Sequence, residues 1–248
     1  MIGNKPSIYN AQSVYNQGGS GGGGGGGGYI PDYLQPVAYI DTSAASGKIC
    51  MVMPWQKTLD SAMDFQAVVS KVTKSTAGHF FVAGQVANEN ISNGNLDAYI
   101  NTNYAWCFFG NIQLDVSVSG FNLMDEIKYK LTGSQKKFTC SDSGGAHTQT
   151  STSSSSYNYP KWGIIGIFGN PKQSDPYTFY GRFHYAWIKK GDERLLCVIP
   201  CRHKVTGEPY VMDIVTGVVG KNWTNKFDMS DVSFGPDIDE SVIESYFT

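Results

Sequence analysis

From Tyr29 onward, the chain passes repeatedly from short runs rich in Val, Ile, Phe, Tyr and Trp to groups of Gly, Asn, Ser, Asp or Pro. Several runs alternate between apolar and polar residues. The clearest is NIQLDVSVSGF, with apolar side chains at Ile112, Leu114, Val116 and Val118. A period of two places successive side chains on opposite faces of a β-strand, so that one face packs in the core and the other faces solvent. The pattern therefore predicts a chain built mainly of short β-strands separated by turns.

The predicted strands lie in KICMVMPW, MDFQAVVSKV, HFFVAGQV, AWCFFG, NIQLDVSVSGF, WGIIGIFG, FYGRFHYAWIKK, RLLCVIPC and YVMDIV. Many short strands at turn-punctuated spacing favour an all-β, two-sheet antiparallel sandwich over a parallel sheet with crossover helices. Local helix is predicted only in DEIKYKL (125–131) and in DIDESVIESYF (237–247), the second of which is amphipathic enough to dock as a tail. The serine-rich stretch 141–160 is predicted to be a surface loop because it is too polar to pack.

A glycine-rich segment, NQGGSGGGGGGGGYIP, separates a short polar N-terminus from these strands. Glycine has no side chain to bury and loses more backbone entropy on ordering than any other residue, so the run cannot belong to a core. We interpret it as a tether or packed arm that spans roughly 18 Å as a free coil and at most about 38 Å when stretched. The chain is thus divided into an N-terminal docking peptide (1–17), a poly-Gly linker (18–28) and a β-sandwich domain (29–248).

The N-terminal peptide contains a repeated aromatic unit in SIYNAQSVYN. Ile8 and Tyr9 are followed by Val14 and Tyr15 in the same arrangement. Aromatic residues in front of a tether suit a docking peptide, since each ring can bury about 150–250 Å² on a partner surface. We expect docking through these residues onto another protein. The alternative is a disordered tail.

Composition argues against several classes of partner. The chain has a net charge of −2 and scattered basic residues, so neither nucleic acid nor an anionic membrane is expected as a partner. No apolar run approaches the ~18 residues of a membrane span, and the N-terminus lacks the apolar core of a secretory signal. The cysteines are irregularly spaced and imply no disulfide framework. Cys197, Cys201 and His203 could form part of a zinc site, but buried thiols are the favoured interpretation.

The chain is predicted not to be an enzyme. Its glycine-containing strings lack both a G-x-S-x-G elbow and a phosphate loop with its Lys. The acidic groups PDIDES (236–241) and Asp192–Glu193 are interpreted as a solvated cap and a hairpin tip, not as paired carboxylates across a sugar. His184 and His203 have no acid spaced to orient them. No loop has the charge density that Ca²⁺ requires, so no metal or cofactor is predicted.

The C-terminal third resembles the closing segment of concanavalin A-like, laminin-G-like jelly-roll domains found in phage structural proteins. The matching pieces are Phe183 to Ile188, the hairpin Lys190 to Glu193, Pro200-Cys201-Arg202, Gly207, Tyr210, Asp213, Thr216-Gly217 and Gly235-Pro236. Upstream, Tyr39 to Thr42 resembles the family's opening strand, and Ile167 to Gly169 resembles its mid-domain strand. The resemblance covers about residues 37–236 and implies a jelly-roll fold.

Two residues of this segment are expected to shape the fold. Asp213 can accept backbone N–H bonds within the following Thr-Gly turn, where Gly217 supplies a positive φ. Arg202 has a fixed fork of donors and can tie a neighbouring carboxylate or loop carbonyls. Both uses are structural.

The leader MIGNKPSIYNAQSVYNQGG resembles that of virion surface proteins encoded by tailed phages of gut bacteria, including crAss-like phages. The two resemblances imply a non-enzymatic virion protein, a head or tail fibre component assembled in the host cytoplasm. Residues 1–28 would attach it to capsid or tail proteins, and the jelly-roll would be displayed as a dimer or trimer toward a host-surface glycan. The alternative is a soluble glycan-binding lectin module linked to another domain.

Two polar stretches, 93–106 and 153–162, combine aromatic rings with amide and hydroxyl groups, as sugar-binding surfaces do. The candidate glycan-binding residues are Tyr99, Tyr104, Tyr157, Tyr159 and Trp162. The contacts are expected to come from loops at one rim of the domain, 88–104 and 143–160. Surface Tyr and Asn are also typical of protein–protein contacts, and the sequence does not separate these two uses.

Overall fold

The computed structural model of the chain describes residues 30–55, 60–84, 86–87, 90–91, 96–110, 112–152, 163–169, 178–222 and 231–247. The poly-Gly linker lies outside these residues, as do several predicted contact residues: Ile8, Tyr9, Val14, Tyr15, Tyr157, Tyr159 and Trp162. The first ten strands are β1 (Leu34–Pro36), β2 (Ile40–Asp41), β3 (Met51–Trp55), β4 (Asp64–Ser70), β5 (Gly78–Gly84), β6 (Val86–Ala87), β7 (Asn90–Ile91), β8 (Leu96–Ile100), β9 (Tyr104–Phe109) and β10 (Ile112–Ser117).

The remaining elements are β11 (Ile127–Thr132), β12 (Lys137–Ser141), β13 (Ala146–Thr150), β14 (Gly163–Ile167), β15 (Arg182–Lys190), β16 (Glu193–His203), β17 (Pro209–Asp213), β18 (Val218–Asn222), β19 (Ser233–Phe234) and the helix α1 (Glu240–Ser245). A short 3-10 turn at Gly133–Gln135 joins β11 to β12.

Strands β6 and β7 pair with each other, and the other strands form two antiparallel sheets. Sheet 1 has the order β13-β12-β11-β4-β15-β16-β17-β18, with β2 beside the start of β15, β19 beside β2, and β1 beside the end of β16. Sheet 2 has the order β10-β9-β8-β5-β14-β3-β18. Strand β18 pairs with β17 and also with β3, so the sheets share one corner. The predicted two-sheet antiparallel jelly-roll is therefore confirmed.

The core lies between the sheets and contains residues from nearly every strand of both. Phe65 of sheet 1 meets Phe81 of sheet 2 at 4.9 Å between ring centroids. Tyr129 of sheet 1 meets Phe80 of sheet 2 edge-on at 4.6 Å. The alternating residues of β10, Ile112, Leu114 and Val116, are buried as their pattern predicts.

One predicted helix is instead a strand. DEIKYKL (125–131) contributes β11, in which Ile127, Tyr129 and Leu131 are fully buried while Lys128 and Lys130 are exposed. The period of two in these residues matches a strand whose inner face packs in the core. A helix would have placed these apolar side chains on different sides, so the helical prediction was wrong.

The serine-rich stretch 141–160 is also not wholly a loop. Ala146–Thr150 forms the edge strand β13, although all of its side chains are exposed. Its backbone pairs with β12, and the Thr139 and Thr148 hydroxyls lie 2.9 Å apart across the two strands. Backbone pairing at an edge requires no apolar face, which is why polarity alone led to the loop prediction.

The second predicted helix is present and covers the outer face of sheet 1. Asp239 caps α1 by accepting bonds from the backbone N–H groups of Ser241 and Val242. Ile243 and Phe247 pack into a second apolar cluster on this face, and Tyr246 stacks on Tyr185 at 4.1 Å. The C-terminal segment therefore docks as an amphipathic tail.

The two residues expected to shape the fold do so. The Asp213 carboxylate accepts bonds from the N–H groups of Cys197 at 2.8 Å and Val215 at 3.1 Å, and Gly217 has a φ of 75°. Arg202 donates to both carboxylate oxygens of Asp237, at 2.9 Å each from Nη2. The acidic group at 236–241 thus ties the C-terminal segment to β16 and caps α1.

Candidate functional site

The outer face of sheet 2 carries a group of aromatic and acidic side chains that we call the aromatic face. Its members are His79, Asp97, Tyr99, Tyr104, Trp106, Phe108 and Asp115. On β8, Leu96, Ala98 and Ile100 belong to the core, so Asp97 and Tyr99 point to the opposite side. Both are half-buried.

Strand β9 is apolar on both faces. Ala105, Cys107 and Phe109 belong to the core, while Tyr104, Trp106 and Phe108 project outward. Tyr104 is exposed, and Trp106 and Phe108 are half-buried. On β10, Asp115 lies outward between the buried Leu114 and Val116.

The strand register brings the outward rings together. Tyr99 pairs with Trp106 across β8 and β9, and their rings stack at 4.7 Å with 17° between planes. Tyr99 also stacks with Phe108 at 5.7 Å and 17°. Tyr104 stands beside Trp106 at 5.6 Å, tilted by 39°. The result is a continuous aromatic surface whose most exposed ring is that of Tyr104.

Polar groups adjoin these rings. The His79 Nδ1 atom lies 2.7 Å from an Asp97 carboxylate oxygen, and the His79 ring lies 5.0 Å from that of Tyr99. Asp115 pairs with Trp106 across β9 and β10. Burial raises the pKa of the Tyr99 phenol, and the charges of Asp97 and Asp115 raise that pKa further. The Tyr99 hydroxyl is therefore a neutral donor at physiological pH, flanked by two acceptors.

The face is supported from the core. The buried Tyr129 hydroxyl donates to the backbone carbonyl of Tyr99 at 3.1 Å. The pairing of β5 with β8 shifts between His79 and Phe81, which places Phe80 and Phe81 both in the core and leaves His79 half-buried. A bulge of this kind re-aims the side chains of one strand relative to its partner.

The rim beside β10 is closed by the polar edge strand β13. The backbone N–H of Asp115 donates to the Gln149 side chain, and the His147 ring donates to the Ser117 carbonyl. At the other end of β9, Asn101 Oδ1 accepts from the N–H groups of Asn103 and Tyr104, each at 2.8 Å. These bonds hold the β8–β9 turn next to Tyr104.

Two predicted glycan-binding residues, Tyr99 and Tyr104, lie on this face, and both rings are next to that of Trp106. Tyr157, Tyr159 and Trp162 lie outside the described residues. The expectation that Tyr99 belongs to a rim loop was wrong, because Leu96–Ile100 is a strand within sheet 2.

Sequence reasoning did not single out His79, Asp97, Trp106, Phe108 or Asp115. The signal present in the sequence is the spacing of Tyr104, Trp106 and Phe108 at every second position. It was hidden because the intervening residues of β9 are apolar too.

All five cysteines are buried free thiols, as favoured above, and burial raises the pKa of Cys201 to about 12. Within the described ranges, no three His, Cys, Asp or Glu side chains come together as a metal site requires. In this same part of the chain, no helix is long and apolar enough to cross a membrane.

No protein-family model matches the chain, and no curated protein matches its sequence. Among solved structures, the chain is similar to Ruminococcus gnavus IT-sialidase CBM40 bound to α2,3-sialyllactose, with 11% identity and a TM-score of 0.40 over 63% of this chain and 86% of that one. It is similar to the SAP-like pentraxin of Limulus polyphemus, with 9% identity and a TM-score of 0.43 over 62% and 76%. A third similar structure is the enzymatically active domain of bacteriophage CBA120 tailspike protein 2, with 8% identity and a TM-score of 0.41 over 71% and 30%. With TM-scores below 0.5, these likenesses carry no argument about this chain.

Proposed function

We propose that the β-sandwich is a non-catalytic glycan-binding domain and that the aromatic face is its sugar site. The observation that carries this proposal is the juxtaposition of stacked rings, those of Tyr99 and Trp106, with carboxylate acceptors at Asp97 and Asp115 on the outer side of sheet 2. Small-molecule sites typically combine aromatic walls with a few fixed polar groups.

The chemistry of a pyranose matches this surface. One side of the sugar ring presents C–H groups, which pack against the face or edge of an aromatic ring. The hydroxyl groups around its rim donate to carboxylates and accept from a phenol. Tyr104 and Trp106 provide apolar contact area, while Asp97, Asp115 and the Tyr99 hydroxyl provide the hydrogen bonds.

The spacing of the carboxylates favours binding over hydrolysis. Asp97 and Asp115 lie on strands separated by β9 and are offset by two residues in register. Strand spacing and rise then separate their α-carbons by roughly 12 Å. Side chains on one face of a sheet stand roughly parallel to one another, so the two carboxyl groups are expected at a similar separation. Glycosidases hold their two carboxyl groups about 5–9.5 Å apart. His79 already occupies one Asp97 oxygen, which further suits a fixed acceptor role.

We also propose that the domain is displayed on a virion, as a head or tail fibre component held to capsid or tail proteins through residues 1–28. The support is the resemblance of the leader and of residues 37–236 to phage structural proteins, together with the poly-Gly tether between docking peptide and domain. Single sugar sites bind weakly, and linking two or three copies raises avidity by about 10²–10⁴. A dimer or trimer facing a host-surface glycan fits this role.

The glycan proposal is tested with Tyr104→Ala and Trp106→Ala. A glycan array selects the best oligosaccharide, and calorimetry then measures its affinity for each variant. A ring that anchors a ligand contributes about 1–3 kcal/mol, so each variant should bind roughly 5- to 150-fold more weakly.

Tyr33→Ala is the matched control, because Tyr33 and Tyr104 are each 46% exposed and Tyr33 lies beside His203 of sheet 1. Thermal melts establish that the variants remain folded. Equal binding by wild type and Tyr104→Ala and Trp106→Ala variants would refute the assignment of this face. Variants of Tyr157, Tyr159 and Trp162 test the remaining predicted contacts in the same assay.

The virion proposal is tested by deleting residues 1–28. The deleted protein should melt cooperatively, because all described strands lie after this segment. It should no longer co-sediment with phage particles, whereas the full chain should. Loss of the folded state on deletion, or equal co-sedimentation of both forms, would contradict the proposal. Failure of the full chain to bind particles while it binds glycans would instead favour a soluble lectin module.

A further inference from the structure

Among the described residues, the aromatic face carries two acidic side chains and no Lys or Arg side chain. The acidic residues are Asp97 on β8 and Asp115 on β10, which lie on the same side of sheet 2 as the stacked rings. By backbone register, Lys221 pairs with Val52 at the opposite edge of the sheet. It is four strands from β8, or roughly 19 Å.

These charges act on the rings beside them. The pKa of Tyr99 is raised mainly by burial, and the negative charges of Asp97 and Asp115 raise it further. A negative group placed on this ring is therefore opposed by both carboxylates. The half-buried rings lower the effective dielectric constant around the carboxylates, so a negative group on a ligand is repelled more strongly here than in bulk water.

The acceptors also fix what a ligand must offer. An ionised carboxylate accepts hydrogen bonds and donates none, so its partner must be a hydroxyl or an N–H group. Neutral sugars offer several hydroxyl donors. A sugar carboxylate or sulfate offers only acceptors at that position, and would need an Arg or Lys that the described side chains of this face do not supply.

We propose that the aromatic face selects neutral saccharides and discriminates against saccharides bearing carboxylate or sulfate groups, with Asp97 and Asp115 setting that selectivity. This inference rests on the proposed glycan-binding function and names its ligand class. Asp97 is held by His79 at 2.7 Å, whereas no side-chain hydrogen bond to the Asp115 carboxylate is seen among the described residues. Asp115 is therefore the residue whose charge can be removed with least disturbance.

The test compares neutral and acidic forms of the same core sugars at pH 7.5 and low ionic strength. The probes are lactose and N-acetyllactosamine against their α2,3- and α2,6-sialylated forms, and neutral against sulfated galactose oligomers. Wild type should bind the neutral member of the best-bound pair at least tenfold more tightly. Raising the salt concentration should narrow this ratio, because screening weakens charge repulsion.

Asp115→Asn keeps the size of the side chain and removes its charge. The neutral-to-acidic ratio should fall by about three- to tenfold in this variant, and further in the Asp97→Asn, Asp115→Asn double variant. Asp192→Asn, at the exposed β15–β16 hairpin, should leave the ratio unchanged.

The outcomes separate the two proposals. Acidic sugars bound as tightly as neutral ones, or a ratio that Asp115→Asn does not alter, would overturn the selectivity while leaving glycan binding intact. Binding of none of the probes, with no positive on a wider array, would overturn the proposed function itself. A selective wild type with a reduced ratio in Asp115→Asn would support both.

Discussion

Replacing Asp41 by Asn should destabilise the domain in a pH-dependent manner. Asp41 is only 4% exposed, and one of its carboxylate oxygens lies 3.0 Å from Lys71 Nζ and 2.9 Å from Arg182 Nε. The other oxygen accepts from the Ser43 N–H at 2.9 Å. Burial alone would raise the pKa of Asp41, but hydrogen bonds from Ser43, Arg182 and Lys71 outweigh it and lower the pKa to about 2.

The magnitude follows from this pKa. Each unit by which the pKa of a group differs between the folded and unfolded states corresponds to about 1.4 kcal/mol in the free energy of unfolding. A pKa lowered from 3.8 to about 2 would therefore correspond to roughly 2–3 kcal/mol. The Lys71 and Arg182 side chains are 30% and 31% exposed, so solvent screens the pair. We expect Asp41→Asn to lower the free energy of unfolding by about 1–2 kcal/mol at pH 7.

The sign of the pH dependence distinguishes this charge effect from a packing defect. Because the pKa of Asp41 is lower in the folded state, its contribution is present above the unfolded pKa of about 4 and is lost as the pH falls toward 2. Urea unfolding followed by tryptophan fluorescence between pH 7 and pH 2 should therefore show wild type and Asp41→Asn converging at low pH. A constant difference across this range, or no difference at pH 7, would refute the reasoning. Asp192→Asn serves as the exposed control.

Three further outcomes are expected. Asp213→Ala should lower the free energy of unfolding, measured with urea, by about 2–4 kcal/mol, because the buried Cys197 N–H loses its acceptor at 2.8 Å. A decrease below about 1 kcal/mol would contradict this. Ile243→Ala should lower the free energy of unfolding by about 2–4 kcal/mol, whereas the neighbouring Val242→Ala should lower it by less than about 1 kcal/mol, because these side chains are 3% and 37% exposed. Equal decreases would show that α1 is not docked. The five thiols should resist a disulfide reagent at pH 8 until urea unfolds the chain, since all are buried; rapid labelling of the native protein would count against this.

The sheets could be predicted because most strands carry their own signal. Alternation in NIQLDVSVSGF and β-branched and aromatic runs elsewhere locate strands without knowledge of their partners. The same signal was missed in β11, where the exposed Lys128 and Lys130 alternate with buried apolar residues. The polar sequence of β13 led to the prediction of a loop, but an edge strand needs only backbone hydrogen bonds to its neighbour, here β12.

The candidate site could be predicted only in part, because it depends on strand register. Tyr99 and Tyr104 stood out as aromatic residues in a polar stretch. Trp106 stacks on Tyr99 because β8 and β9 pair these two residues, and nothing local to either residue encodes that partner. Since β9 is apolar on both faces, its sequence also does not tell which side points outward.

A single irregularity in β5 decides the polar part of the aromatic face. Regular alternation would place His79 and Phe81 on the same side of the sheet, so that either the histidine would enter the core or the phenylalanine would leave it. The shift at Phe80 removes this conflict, since His79 then pairs with Tyr99 and Phe81 with Ala98. His79 can therefore reach Asp97 while Phe80 packs against Tyr129, whose hydroxyl holds the Tyr99 backbone. The bulge thus couples the position of the acidic acceptor to the packing of the core beneath it, so that core and candidate site are specified together.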